Sequence, residues 1–170
     1  VYYDPIALEA LAELRSGQRA LDDFTVEGFA DYADALRGAD PHFEALAKAL
    51  SLAVEYVKLP SGLYGLRGPG VILVGLMKSG ERREVVGSHE CCHHLARLSK
   101  QRHHHADVWA MTIATVAPRR RLLELRGTVE SPGDLAAACG IPWWTAELRL
   151  ENPLVRRWLG GYERIRTQLY

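Results

Sequence analysis

His89-Glu90-Cys91-Cys92-His93 brings two imidazoles and a carboxylate within one turn of chain. This is the H-E-x-x-H spacing, and its chemistry follows from helix geometry. Residues four apart project from one helix face with Cβ atoms roughly 5–6 Å apart. Two imidazoles so placed can share one ion through bonds of about 2 Å. Glu90 points about 100° further round the helix. From there its carboxylate can take a proton from a metal-acidified water without being a ligand. The pattern implies a zinc site with His89 and His93 as ligands and Glu90 as general base.

Catalytic zinc needs a third protein ligand and an open position. Six of the chain's seven histidines fall between His89 and His105, so His103, His104 and His105 are the candidates. An unbroken helix would carry His103 about 15 Å along the axis from His93. The chain must therefore reverse between Arg97 and Arg102, where Ser99, Lys100, Gln101 and Arg102 form a polar break. From His103, the residues Ala106, Ala110, Ile113 and Ala117 recur at steps of three or four, the inward stripe of a second helix. That phase predicts His103 as third ligand and turns His104 and His105 away by about 100° and 200°. It also puts Asp107 one turn on, where its carboxylate could orient the His103 imidazole. Cys91 and Cys92 sit off the ligand face, and packing is their expected role.

The elements that must position these groups are helical at both ends of the chain. Residues 4–15, 26–37 and 41–50 show helical apolar spacing, with Gly17 and Gly38 as stops. Residues 54–59 alternate as a strand, Pro60-Ser61-Gly62 turns, and residues 63–67 and 71–74 add two strands around Gly68-Pro69-Gly70. Trp158, Tyr162 and Tyr170 in a last helix read as core or interface residues, and a Tyr or Arg from that region could reach the metal to stabilise an oxyanion. These readings predict one α+β domain over residues 1–170, mostly helical and zincin (gluzincin-like) in character. Its parts are a helical scaffold (1–50), a small three-stranded sheet beside the H-E-x-x-H helix (52–76), the zinc-site helices (82–118) and a closing helical hairpin (131–170).

A chain of 170 residues suffices for one core. The 21 basic and 21 acidic side chains cancel, so no global attraction to nucleic acid or anionic membrane is expected. No apolar run approaches a membrane span, and no charged-then-apolar leader opens the chain. Three cysteines, two of them adjacent, make no disulfide framework, which fits a reducing cytoplasm.

Three stretches resemble the ImmA/IrrE metallopeptidases. Residues 82–95, RREVVGSHECCHHL, are similar to that family's basic helix start running into H-E-x-x-H. Residues 103–110, HHHADVWA, resemble its Glu-x-x-Ala-Asn/Asp-x-Phe-Ala segment, with His103 at the position of the usual acidic third ligand. Residues 134–142 and 147–150 resemble its closing helical hairpin. Two departures stand out: Cys92 replaces the usual Gly before the second motif histidine, and Thr115-Val116-Ala117-Pro118 replaces a Leu-Met-Pro end. The resemblance implies a bacterial or phage regulatory zinc protease. Its substrate would be a helix-turn-helix transcriptional repressor, cleaved in a stress or mobile-element response, with an edge strand holding the peptide by main-chain hydrogen bonds.

Two other classes compete. One is a zinc-binding relative that acts by binding a repressor or antitoxin without cutting it. The other is DNA binding by residues 135–150, whose spacing is that of a helix-turn-helix with Gly140 at the turn. It is disfavoured because only Thr145, Glu147 and Arg149 of the second helix could read base edges. Arg119-Arg120-Arg121 reads as a solvated run.

Overall fold

The computed structural model describes residues 4–160, so Tyr162 and Tyr170 and the end of the expected 131–170 segment lie outside the described residues. Three helices open the chain, as the apolar spacing predicts: α1 (Pro5–Ser16), α2 (Asp23–Arg37) and α3 (Phe43–Ala49). Asp4 caps α1 by accepting from the Ile6 N–H, and Pro5 follows at a first-turn position that needs no donor. Asp22 caps α2 by accepting from the Thr25 N–H, which starts that helix earlier than its apolar stripe suggests. Gly38 ends it at φ +69°.

The sheet follows as β1 (Ala53–Val57), β2 (Gly65–Gly68) and β3 (Val71–Gly75), in spatial order β1-β3-β2. β2 and β3 are an antiparallel hairpin turning at Pro69-Gly70, where Gly70 takes φ +68°. Proline followed by a left-handed glycine is the signature of a type II turn. β1 pairs with β3 in parallel, so β3 is central and β2 is an edge. Ile72 and Val74 of β3 are fully buried on the face that packs against the next helix, α4 (Gly80–Leu98). Through the pairings Gly65↔Val74 and Arg67↔Ile72, two residues of the edge strand point to that same face.

α4 carries the motif and is capped by Ser79, whose hydroxyl accepts from the Arg82 N–H. Gly87 in its middle costs roughly 1 kcal/mol relative to alanine. The reason for it is the Phe43 ring, which occupies the space that a Cβ would need. Phe43 is 1 % exposed, and burial of such a side chain contributes roughly 1.5–3 kcal/mol. The chain then reverses over residues 99–104, with Lys100 at φ +57°, as the polar break predicts. α5 (His105–Val116) packs against α4. Ten of its twelve residues are buried, and it contributes to all three apolar clusters of the protein. It is thus a central helix with no outward face, and this governs where the sequence reading fails.

Four short helices close the described chain: α6 (Arg119–Glu124), α7 (Pro132–Cys139), α8 (Trp143–Glu151) and α9 (Pro153–Leu159). α7 and α8 form the expected hairpin, with Gly140 left-handed at φ +64° between them. Its second helix is committed to packing. Thr145 is 0 % exposed, and Arg149 is buried in an ion pair with Glu27 while its Nε donates to the Ala117 carbonyl at 2.9 Å. Two of the three side chains that could read DNA bases are therefore sequestered. The arginine run of α6 is surface-lying, as expected, and its guanidinium groups engage neighbours. Arg120 binds Asp34 at 2.9 Å, Arg121 binds the Ala138 carbonyl at 3.1 Å, and Arg119 stacks over Trp158. No helix among the described residues is long and apolar enough to cross a membrane.

Candidate metal centre

His89 and His93 project from one face of α4 with their Nε2 atoms 3.1 Å apart. The third histidine brought to them is His105, whose Nε2 lies 3.1 Å from that of His89. These three form a group whose ligand atoms all fall within 4.8 Å of one another, and it could hold a metal ion. His103, placed at that position by the sequence phase and by the resemblance, is elsewhere. α5 begins only at His105, so His103 lies before the helix, partly exposed, with its Nδ1 3.0 Å from the Gln101 carbonyl oxygen. His104 is the cap residue, and its N–H donates to Asp107 at 2.7 Å.

Asp107 accordingly does not orient His103. Its buried carboxylate closes the start of α5 and also accepts from the Ala20 and Leu21 N–H groups at 2.9 and 3.0 Å. Burial by itself would push this carboxyl up, but those donors and the Arg19 guanidinium hold it below its ordinary value. Asp107 thus pins the α1–α2 loop to the helix that presents His105. It positions the site through the backbone.

Two neighbours set the imidazole tautomers. The Thr112 hydroxyl donates to the Val108 carbonyl at 2.8 Å, so its oxygen is left to accept from His89 Nδ1 at 3.0 Å. That places the His89 proton on Nδ1 and leaves Nε2 with a free lone pair. Glu13 of α1 puts Oε1 3.3 Å from His105 Nδ1 and favours the proton there, with the same result. Two nitrogens 3.1 Å apart that both lack a proton repel each other, and a cation between them removes the repulsion. Bonds of about 2.0–2.1 Å in a tetrahedral site separate ligand nitrogens by about 3.3 Å, close to the 3.1 Å of the His89–His93 and His89–His105 pairs, so these nitrogens could share a metal ion.

Electrostatics agree with the geometry. His89, 6 % exposed and stacked on Trp109 at 4.0 Å, has its pKa driven well below the ordinary value by burial and then by the neighbouring His93 and His105. Burial lowers His93 to about 3, with Arg67 adding to the effect. Both are neutral at pH 7, as metal ligation requires. Glu90 is 9 % exposed and forms no hydrogen bond among the described residues. Burial raises its carboxyl to about 7, against the opposing charge of Arg67. A nearby dication would pull that value back toward the ionised form.

Glu90 lies under the edge strand. A Cβ on Gly65 would stand 2.8 Å from Val86 and 3.0 Å from the Glu90 carboxylate, so glycine lets β2 approach α4 there. A cavity of about 200 Å³ opens on the three histidines, with Glu9, Tyr64, Gly65 and Glu90 among its lining. The larger groove of about 950 Å³ lies elsewhere, between α3, β1 and the start of α4. It holds a second cluster, His42, Glu44 and Glu84, that has structural work. Glu84 accepts from the Phe43 N–H and contacts His42, and Glu44 accepts from the Tyr56 hydroxyl. Cys91 and Cys92 are fully buried packing residues; burial raises both thiols, Cys92 to about 11.

The helix phase ranks His103 above His105 as third ligand, and the reading of the residues does not single out Glu13 or Thr112. A signal for two of them existed: His105, Trp109 and Thr112 stand at i, i+4 and i+7 and form one face. Glu13 comes from a separate helix with no local cue. Neither the scan against protein-family models nor the search of curated proteins finds a match for the chain.

Proposed function

We propose that this protein is a zinc-dependent endopeptidase and that its substrate is a helix-turn-helix transcriptional repressor. The observation that carries the reading is the convergence of three imidazole nitrogens beside a buried carboxylate, Glu90, that has no hydrogen-bond partner among the described residues. His89, His93 and His105 would hold the ion, which supplies Lewis acidity toward water and a carbonyl oxygen when bound. Glu90 takes a proton from the attacking water as that oxygen bonds to the scissile carbonyl carbon. It then delivers the proton to the amide nitrogen as the C–N bond breaks, giving an amine and a carboxylic acid whose remaining proton passes to solvent or to the amine. Thr112 and Glu13 keep the ligand lone pairs aimed inward, and β2 offers an extended edge beside Glu90 for a peptide. The repressor as substrate class rests on the resemblance of residues 82–95 and 103–110.

The test is Glu90→Gln, co-expressed with a helix-turn-helix repressor encoded next to this chain, with cleavage followed by mass and zinc measured on the same sample. Hydrolysis should fall by roughly 10²–10⁴-fold while zinc content is retained. Unchanged cleavage would remove Glu90 from the mechanism. No cleavage by the parent protein would favour a binding partner that does not cut.

A further inference from the structure

Arg67 is the cation of this region that nothing so far accounts for. It lies on edge strand β2, paired with Ile72, and so faces α4. Two residues before it on the same face is Gly65, where an added Cβ would stand 3.0 Å from the Glu90 carboxylate. The Arg67 Nη1 is shielded from solvent and has no hydrogen-bond partner, and no ion pair engages this side chain among the described residues. Its charge is nonetheless felt across the site: it opposes the upward shift of Glu90 and lowers the basicity of His93 and His94. Arginine forms bidentate pairs with carboxylates, so a half-buried guanidinium with no ion-pair partner and one shielded nitrogen is suited to receive one.

We propose that Arg67 anchors a bound peptide through a carboxylate, either an acidic side chain or the terminal carboxyl group, beside the metal centre. This rests on the peptidase reading and specifies which peptides the cleft prefers. An oxyanion role fits the placement less well. Arg67 is not part of the cavity lining around the three histidines, and a strand carries it about 6.7 Å past Gly65, a step of two residues.

The experiment uses the zinc-loaded full chain carrying Glu90→Gln, so that peptides bind without being cut. Three acetylated tripeptides are titrated: one with a central aspartate and an amidated end, one of alanines with a free terminal carboxylate, and an amidated control with a central asparagine. At least one carboxylate peptide should bind about 10–100-fold more tightly than the control, and which one does so identifies the source of the carboxylate. Adding Arg67→Met should abolish the preference with zinc content unchanged, and Arg67→Lys should restore part of it. The lysine variant decides the matter if the methionine variant melts early. Equal binding of all three peptides, or a preference that survives loss of the guanidinium, overturns the proposal. Failure of the peptidase reading looks different: with Glu90 restored, no peptide or repressor is cut even though the carboxylate preference persists.

Discussion

Replacing His105 with alanine should cripple metal binding, whereas replacing His103 should leave it almost unchanged. The structure sets the contrast. His105 Nε2 stands 3.1 Å from His89 Nε2, while His103 points at a carbonyl in its own loop. Losing a group that merely orients a ligand typically costs 10–100-fold in metal affinity. Deleting a ligand should therefore cost more than about 100-fold, or roughly 2.7 kcal/mol. His103→Ala should fall within about 0.5 kcal/mol of the parent, as for an ordinary surface change. Zinc affinity is measured by competition with a chromophoric chelator at fixed pH, and heat denaturation supplies an independent reading. Zinc at a hundred times its dissociation constant stabilises the folded chain by about 2.7 kcal/mol. For a domain of this size that raises the melting temperature by roughly 5–11 °C. The rise should persist in His103→Ala and vanish in His105→Ala under the same conditions. Equal losses from the two variants, or a loss confined to His103, would refute the assignment and with it the start of α5 at His105.

Glu13→Gln keeps the shape of the side chain but removes the charge beside His105 Nδ1, and should weaken zinc binding by about 10–100-fold in the chelator competition without unfolding the protein. Gly87→Ala adds a methyl where the Phe43 ring sits, and urea unfolding should show a loss of about 1–3 kcal/mol despite alanine's better helix propensity. Burial pushes the Asp34 carboxyl up, but Arg120 and Arg37 outweigh it and hold its pKa below the ordinary value. Its contribution is therefore present above about pH 4, the unfolded pKa, and lost as pH falls through the lower folded value. Asp34→Asn should cost roughly 3–5 kcal/mol at pH 7 by leaving buried Arg37 short of its partner, and the gap to the parent in urea titrations should narrow below about pH 4. A gap that stays constant into acid would show that the charge of Asp34 is not what stabilises the fold.

The residues themselves determined the local features. H-E-x-x-H specified the His89/His93 pair and the off-face position of Glu90, because helix period alone decides which side chains share a face. Period-two alternation over residues 54–59 marked the first strand, the Gly68-Pro69-Gly70 turn marked the two after it, and the polar stretch after Leu98 marked the reversal, since all are written in neighbouring residues. The third ligand was not legible in the same way. α5 is buried on nearly every side, so its apolar residues show no single inward stripe, and a phase drawn through His103 looked as sound as one drawn through His105. What separated them was the helix start. That is set by Asp107, whose carboxylate accepts from His104 and from a loop more than eighty residues earlier. The placing of Glu13 against His105, the passage of β2 over Glu90 at Gly65, and the shielding of Arg67 likewise depend on elements distant in the chain. Spacing in a sequence fixes directions within one element. Only packing decides which elements meet, and the candidate metal centre lies where α1, α4 and α5 converge beside the edge strand.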